Sequence, residues 1–236
     1  MYNNRKVLAL ISARKESKGL PNKNTKLLLS KPLIAWTIED ARDSRYVDRI
    51  VVSTEDRAIA DISRKYGAEA PFYRPKRLAM DKTKYIDIVL HAIGWFEKKE
   101  GAVYDIIVIL QPTCPLRTAG DIDKALALLF CKKAKAVVSV CEVEHPPYWA
   151  NILPKDDCMR NFIKRGIVNK NRQELPLFYR VNGAVYVSYW DYLKKTKSFF
   201  GKDTFAYIMP KERSIDIDGR IDFKLAELLM KSKKGR

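Results

Sequence analysis

Between Arg14 and Asn24 the chain sets the long cations Arg14, Lys18 and Lys23 beside Ser17 and Gly19, residues small enough to let backbone amides approach an anion. A basic turn directly after an apolar strand suits a di- or triphosphate. It is not the Gly-x4-Gly-Lys-Ser/Thr phosphate loop or the Gly-x-Gly-x-x-Gly dinucleotide turn, because it lacks their glycines. Taken alone, it keeps a solvated charged loop as its alternative. Far along the chain, Asp216 and Asp218 sit at i and i+2 in Ser214-Ile-Asp-Ile-Asp-Gly219. On an extended segment both carboxylates point to one side. Two such charges need a cation between them, and Mg²⁺ sharing its shell with substrate phosphates is the usual answer. The alternative is a pair facing solvent or biasing a helix N-terminus, a role that fits Asp222 better.

Two further segments carry polar chemistry. Gln111-Pro-Thr-Cys-Pro-Leu-Arg117 is stiffened by two prolines and offers an amide and a guanidinium, or is simply a turn. Arg180 and Asn182 precede a strand-like run and could hold a carboxylate or hydroxyls. His91 reads as structural. His145 lies in a loop, and two isolated histidines make neither a triad nor a metal cluster.

The elements that must position these groups follow from periodicity. Lys6–Ala13 is a continuous apolar strand of the parallel-sheet type. A helix is expected over Lys31–Ser44, with Pro32 in its first turn and Ile34, Ile38 and Ala41 on one face. Then come a strand at Arg49–Thr54, a helix at Asp56–Tyr66 stopped by Gly67, and a short strand at Ala70–Arg74. Tyr85–Lys99 reads as a helix with Ile86, Val89, Leu90 and Ile93 inward. Tyr104–Gln111 is a strand, Thr118 opens a helix to about Lys133 through a capping box with Asp121, and Ala136–Val143 is a strand. This alternation predicts a doubly wound, mostly parallel α/β sheet, whose ligands gather at the carboxyl ends of its strands. Pro146–Arg180 breaks the pattern with four prolines and reads as a protruding arm, with a small hairpin as its expected form. Strands at Gly183–Tyr189 and Phe205–Met209 and a helix at Asp222–Lys231 complete a single domain. Its parts are 1–145, the arm 146–180 and the return 181–236.

With 236 residues, 47% of them hydrophobic and 31% charged, the chain can bury one sizeable core. Its apolar runs are too short for a membrane span or a secretory leader, so a cytoplasmic location is expected. Cys114, Cys131, Cys141 and Cys158 have neither disulfide nor zinc spacing and are expected to be buried reduced thiols. Net charge is 45 − 28 = +17, which raises the possibility of a nucleic-acid-binding protein. The basic residues are dispersed and form no stripe interleaved with aromatics, so a solvated lysine-rich surface is the better reading.

Taken in order, Arg14-x-x-Ser-Lys-Gly-Leu-Pro-x-Lys-Asn24, Arg74-Pro, Leu78-Ala-x-Asp81, Leu110-Gln-Pro-Thr-x-Pro-Leu-Arg117, Arg180-x-Asn-Gly-Ala-x-Tyr186 and Ser214-Ile-Asp-Ile-Asp218 resemble the acylneuraminate cytidylyltransferases, or CMP-sialic acid synthetases. The resemblance runs from about residue 5 to 230 and implies a nucleotide-diphospho-sugar transferase-like fold. It implies that CTP and a free nonulosonic acid give the CMP-sugar and pyrophosphate, with Mg²⁺ or Mn²⁺ held by Asp216 and Asp218. By matched positions Arg14 and Lys23 meet the triphosphate, and Lys18, Gly19, Ser17 and Asn24 support the nucleotide. Arg74 and Asp81 border the cytidine; Gln111, Arg180, Asn182, Phe199 and Phe200 face the acidic sugar. A homodimer built through the arm is also implied, with no nucleic-acid or membrane partner. Lys15-Glu16, Tyr85, Cys114 and Tyr148-Trp149 depart from the family pattern; the last two replace a lysine often found there and point to a sugar other than N-acetylneuraminic acid, such as legionaminic or pseudaminic acid. A cytidylyltransferase for 3-deoxy-manno-octulosonate is the nearest alternative.

Overall fold

Residues 7–11 are apolar on both sides of the chain. In the structure, a computed structural model that describes residues 4–17 and 19–232, each side of this strand faces its own core. Strand β1 (Val7–Ser12) sends Val7, Ala9 and Ile11 to one layer and Leu8 and Leu10 to the other. A small ribbon follows, β2 (Leu27–Leu28) and β3 (Lys31–Pro32), and then α1 (Leu33–Arg42). Pro32 therefore caps α1 from outside its first turn, and the helix is shorter than the Lys31–Ser44 expected. Next come β4 (Arg49–Ser53), α2 (Arg57–Lys65), α3 (Tyr85–Trp95), β5 (Ile106–Leu110), α4 (Ala119–Cys131) and β6 (Ala136–Glu142). The chain ends with β7 (Tyr179–Tyr189), α5 (Trp190–Thr196), β8 (Thr204–Ile208) and α6 (Arg220–Ser232).

Six strands make one sheet in the order β4-β1-β5-β7-β6-β8. β4, β1 and β5 are parallel, and β6 is parallel to β8; β7 runs antiparallel to both its neighbours. One layer is built from Ile34 and Ile38 of α1, Ile59 of α2 and Ile122, Leu126 and Leu129 of α4. The other is built from Val89 and Ile93 of α3, Trp190 and Leu193 of α5, and Phe96, Phe72 and Phe199. Burying a strand on both faces explains why β1 and β5 read as unbroken apolar runs. The doubly wound, mostly parallel sheet is thus present, with one strand reversed. A third, smaller core joins Leu20, Leu28, Leu33, Leu116 and Ile217 to Phe223, Ala226 and Met230 of α6, and it braces the basic turn.

Several expectations are corrected. Residues 70–74 form no strand; only isolated bridges, Val51 with Glu69 and Thr54 with Tyr73, tie the segment alongside β4. α3 buries Ile88, Val89, Ala92 and Ile93, while Ile86 and Leu90 are half-buried, because the helix rests on the edge that Phe96 continues. The arm is not a hairpin. It is a run of turns with two short 3-10 segments, Pro147–Trp149 and Arg172–Glu174, too rich in proline to sustain a ladder. β7 begins at Tyr179 rather than Gly183, so Arg180 and Asn182 lie inside the strand and do not precede it. Cys114 and Cys141 are buried free thiols, as expected, but Cys131 and Cys158 are exposed. The capping box of Thr118 and Asp121 forms as read.

Candidate active site

The antiparallel strand is what assembles the site. Leu110 of β5 pairs with Val185 of β7, so residues 180–183 project past the carboxyl end of β5. The turn after β1 and the Gln111 loop after β5 open on that same edge. After β8, also parallel to β6, residues 209–219 form a strap that returns across the edge. It is pinned where the Ile217 amide donates to the Thr113 carbonyl at 2.8 Å. Ile217 is buried in the third core while Asp216 and Asp218 alternate to the other side.

The basic turn and the strap touch. A Cβ built on Gly19 would run into the backbone carbonyl of Asp218, so this glycine is required by a close approach of two backbones. The Lys23 ammonium donates to the Ile217 carbonyl at 2.8 Å and to Asp218 Oδ1 at 3.2 Å. Arg14 pairs with Asp81 at 2.8 Å and donates to the Ala79 carbonyl at 3.3 Å. Buried Asn24 donates to the Arg14 carbonyl at 2.8 Å, which leaves its Oδ1 buried without a partner. Lys18 lies outside the described residues.

Two adjoining cavities meet at Arg14, Lys23 and Asn24. One, of about 260 Å³, is also lined by Ser12, Arg74, Asp81, Thr83, Tyr85, Gln111 and Thr113. The other, of about 320 Å³, is lined by Ser17, Gly19 and Asp218 as well. Both open at the carboxyl edge of a doubly wound sheet, where such folds place their ligands.

Burial pushes the Asp216 carboxyl above the ordinary range; the Thr113 hydroxyl opposes this, Asp218 adds to it, and Lys23 and Arg180 oppose it. Asp216 Oδ1 is buried without a hydrogen-bond donor. A carboxylate oxygen in that condition suits a cation. Among the described residues no cluster of three or more His, Cys, Asp or Glu could hold a metal. A cation here would take the two aspartates and complete its shell with phosphate oxygens and water, as Mg²⁺ does.

Not every expected ligand is free to bind one. Asn182 is 1% exposed and committed internally. Its amide donates to Ser214 Oγ at 2.9 Å, and its Oδ1 accepts from Ser139 Oγ at 2.6 Å and from the Ala184 amide at 3.2 Å. It ties β6, β7 and the strap together and has no donor left for a sugar. Arg74 is also buried, donating to Ser12 Oγ at 2.7 Å, to Glu55 at 2.8 Å and to the Ala13 carbonyl at 3.3 Å. It braces the end of β1 from the cavity wall. Arg117, which the sequence presents as a possible ligand, turns inward and donates to the Gln111 and Ala184 carbonyls. Arg180 stays exposed and donates to the Ser214 carbonyl at 3.2 Å. Phe199 is buried in the second core with its ring 5.2 Å from that of Tyr186, Phe200 is exposed, and neither lines the two cavities. His145 is exposed and outside them too.

Ser12, Glu55, Thr113, Ser139 and Ser214 carry no signal of their own in the sequence, yet their polar atoms hold Arg74, Asn182 and the strap. Small hydroxyl residues beside strand ends are too common to stand out in a sequence. Asp222, read as a first-turn residue, does cap α6: it accepts from the Gly219 amide at 2.7 Å and from the Asp218 amide at 3.1 Å.

A basic turn after the first strand and an acidic pair strapped over the same sheet edge define an α/β protein of the nucleotidyltransferase kind. The chain belongs to the cytidylyltransferase family: the family model described as Cytidylyltransferase matches residues 8–200. It is 37% identical over 233 residues to an N-acylneuraminate cytidylyltransferase of Escherichia coli O18:K1:H7, a match covering 98% of this chain and 53% of that protein. The chain therefore spans about half the length of that relative. It is 35% identical over 232 residues to a CMP-N,N'-diacetyllegionaminic acid synthase of Legionella pneumophila, covering 95% and 96% of the two chains. A pseudaminic acid cytidylyltransferase of Campylobacter jejuni is 30% identical over 226 residues, covering 96% and 97%. Among solved structures, CMP:2-keto-3-deoxy-manno-octonic acid synthetase complexed with CTP superposes with a TM-score of 0.70 at 15% identity, covering 97% of this chain and 99% of that one. At that identity the likeness is one of fold, that of the nucleotide-diphospho-sugar transferases.

Proposed function

We propose that this protein transfers the cytidylyl group of CTP to the free anomeric hydroxyl of a nonulosonic acid, giving a CMP-sugar acid and pyrophosphate. One juxtaposition carries the reading: the cations of the 14–24 turn and the Asp216–Asp218 pair, distant in sequence, face each other where Gly19 meets the Asp218 backbone. Cations alone would suit any anion; a divalent-cation site beside them suits a nucleoside triphosphate. In this reading Arg14 and Lys23 bind the triphosphate, with Ser17, Lys18, Gly19 and Asn24 around it. Arg74 and Asp81 shape the nucleoside wall, and Gln111 and Arg180 face the sugar acid; Phe199 and Phe200 stand further out.

The hydroxyl oxygen attacks the α-phosphorus, its proton passes to water, and the bond from the α-phosphorus to pyrophosphate breaks. The work of the protein is alignment and stabilisation of charge on the phosphoryl oxygens. Mg²⁺ or Mn²⁺, held by Asp216 and Asp218, supplies further charge neutralisation when bound. We place the reaction in the cytoplasm, where CTP is available, and the arm 146–180 in a homodimer interface. No helix among the described residues is long and apolar enough to cross a membrane.

The test is pyrophosphate release from CTP and Mg²⁺ against sialic, legionaminic and pseudaminic acids, with 3-deoxy-manno-octulosonate as the competing acid. Turnover of at least one nonulosonic acid is expected, and silence with all three sinks the reading. Asp216→Ala should lower turnover by at least about a hundredfold with an unchanged circular dichroism spectrum; near-normal activity would remove Asp216 from the site.

A further inference from the structure

Lys23 is assigned to a triphosphate, yet its ammonium is already engaged by the protein's own groups. It donates to the Ile217 carbonyl at 2.8 Å and to Asp218 Oδ1 at 3.2 Å. The lysine side chain is only 13% exposed, whereas that of Asp218 is 83% exposed. Lys23 is thus the more buried member of the pair, and a charge drawn partly out of water requires a partner. Arg14 repeats the arrangement with Asp81 at 2.8 Å. Both described cations of the turn that line the two cavities hold an internal carboxylate, and a triphosphate would have to take its place.

The acids also need Lys23. Two carboxylates at i, i+2 repel each other unless a positive charge stands nearby. A hydrated divalent cation arriving alone would push the ammonium off Asp218 and leave it poorly solvated, against the Gly19–Asp218 backbone contact. A cation arriving on a triphosphate brings phosphate oxygens that can receive the ammonium as it leaves.

We propose that Lys23 is the exchangeable counter-ion of the Asp216–Asp218 pair, held on Asp218 until a metal–nucleoside triphosphate complex binds and then transferred to its phosphates. The divalent cation therefore enters with the nucleotide, not ahead of it. This rests on the nucleotidyl-transfer reading, and pyrophosphate release by the unaltered protein judges that reading separately.

The experiment titrates Mn²⁺ into the full-length protein without nucleotide and follows the free ion by electron paramagnetic resonance. The unaltered protein should bind Mn²⁺ weakly. Lys23→Met should bind it about tenfold more tightly or better, because a competing positive charge has gone. Lys23→Gln, which keeps a donor for the Ile217 carbonyl, should shift the same way and guards against a folding defect in the first variant. Adding Asp216→Asn to Lys23→Met should cancel the gain, placing the ion on the acidic pair. A non-hydrolysable CTP analogue should tighten Mn²⁺ binding more in the unaltered protein than in Lys23→Met. Mn²⁺ binding by both lysine variants that is no tighter than that of the unaltered protein overturns the proposal, as does a gain that survives Asp216→Asn. If Lys23 served only the triphosphate, nucleotide-free affinity would not change at all.

Discussion

Gly19 shows how little room the site leaves at a single residue. Read from the sequence, it is a small residue that lets amides approach an anion; in the structure its missing side chain makes space for the Asp218 carbonyl. Gly183 plays a comparable part across the cleft. Its φ is 75°, a left-handed conformation, and a Cβ there would stand 2.8 Å from Gln111 Oε1 and 3.6 Å from Asp216 Oδ2. Since the Asp218 carbonyl is backbone and cannot rotate away, Gly19→Ala must part the turn from the strap. It should lower kcat/KM for CTP by about tenfold or more. The unfolding midpoint should fall as well, because Leu20 and Ile217, the chain neighbours of the two contacting residues, are packed in the third core. Unimpaired kcat/KM would show that the contact between turn and strap is dispensable.

At the scale of elements, α4 ties the strap to the sheet through Asp121. Burial alone would raise the Asp121 carboxyl, but hydrogen bonds from Arg213, from the Thr118 amide and hydroxyl and from the Tyr207 hydroxyl hold it below the ordinary carboxylate range. One aspartate thus closes the N-terminus of α4, meets β8 and anchors the start of the strap at Arg213. A depressed folded-state pKa means that this stabilisation is complete above the unfolded value of about 3.9 and is lost as pH falls through the folded value. Asp121→Asn should therefore cost about 2–4 kcal/mol at pH 7, read from urea unfolding. The gap between the two proteins should narrow when the measurement is repeated near pH 3. A constant gap would mean that the carboxylate's charge is not what α4 and the strap depend on.

For the whole molecule, the arm is the part that the sheet does not explain. It carries Ile152 at 90% exposure and Leu177 at 68%, with Leu153 and Met159 also exposed, while Arg172 ties it to Glu142 of β6. Scattered exposed apolar side chains are ordinary; several on one segment suit a protein interface. In the proposed homodimer, light scattering should give twice the 27.2 kDa chain mass. Ile152→Glu combined with Leu177→Glu should return it to one chain mass. A protein that is already monomeric before substitution ends the dimer proposal.

Much of this was legible in the sequence because it depends on local order. Unbroken apolar runs mark strands buried on two faces, a Thr-x-x-Asp box opens α4, and Asp-Ile-Asp alternation puts two carboxylates on one side of an extended segment. Residue types in the 14–24 turn likewise announced an anion. Tertiary structure alone decided which polar groups remain available to a ligand. Asn182, Arg74 and Arg117 resemble ligands in sequence, yet each is buried and held by protein partners 2 to 67 positions away. The reversal of β7 could not be read either, because strand direction follows from how crossovers close the sheet and not from side-chain pattern. That reversal carries residues 180–183 to the carboxyl edge and lets the strap return over the basic turn. Sequence by itself determined which charges the protein owns and on which face of each element they lie; only packing determined that Lys23 meets Asp218, because a half-buried ammonium and a like-charged acid pair both need an opposite charge within reach.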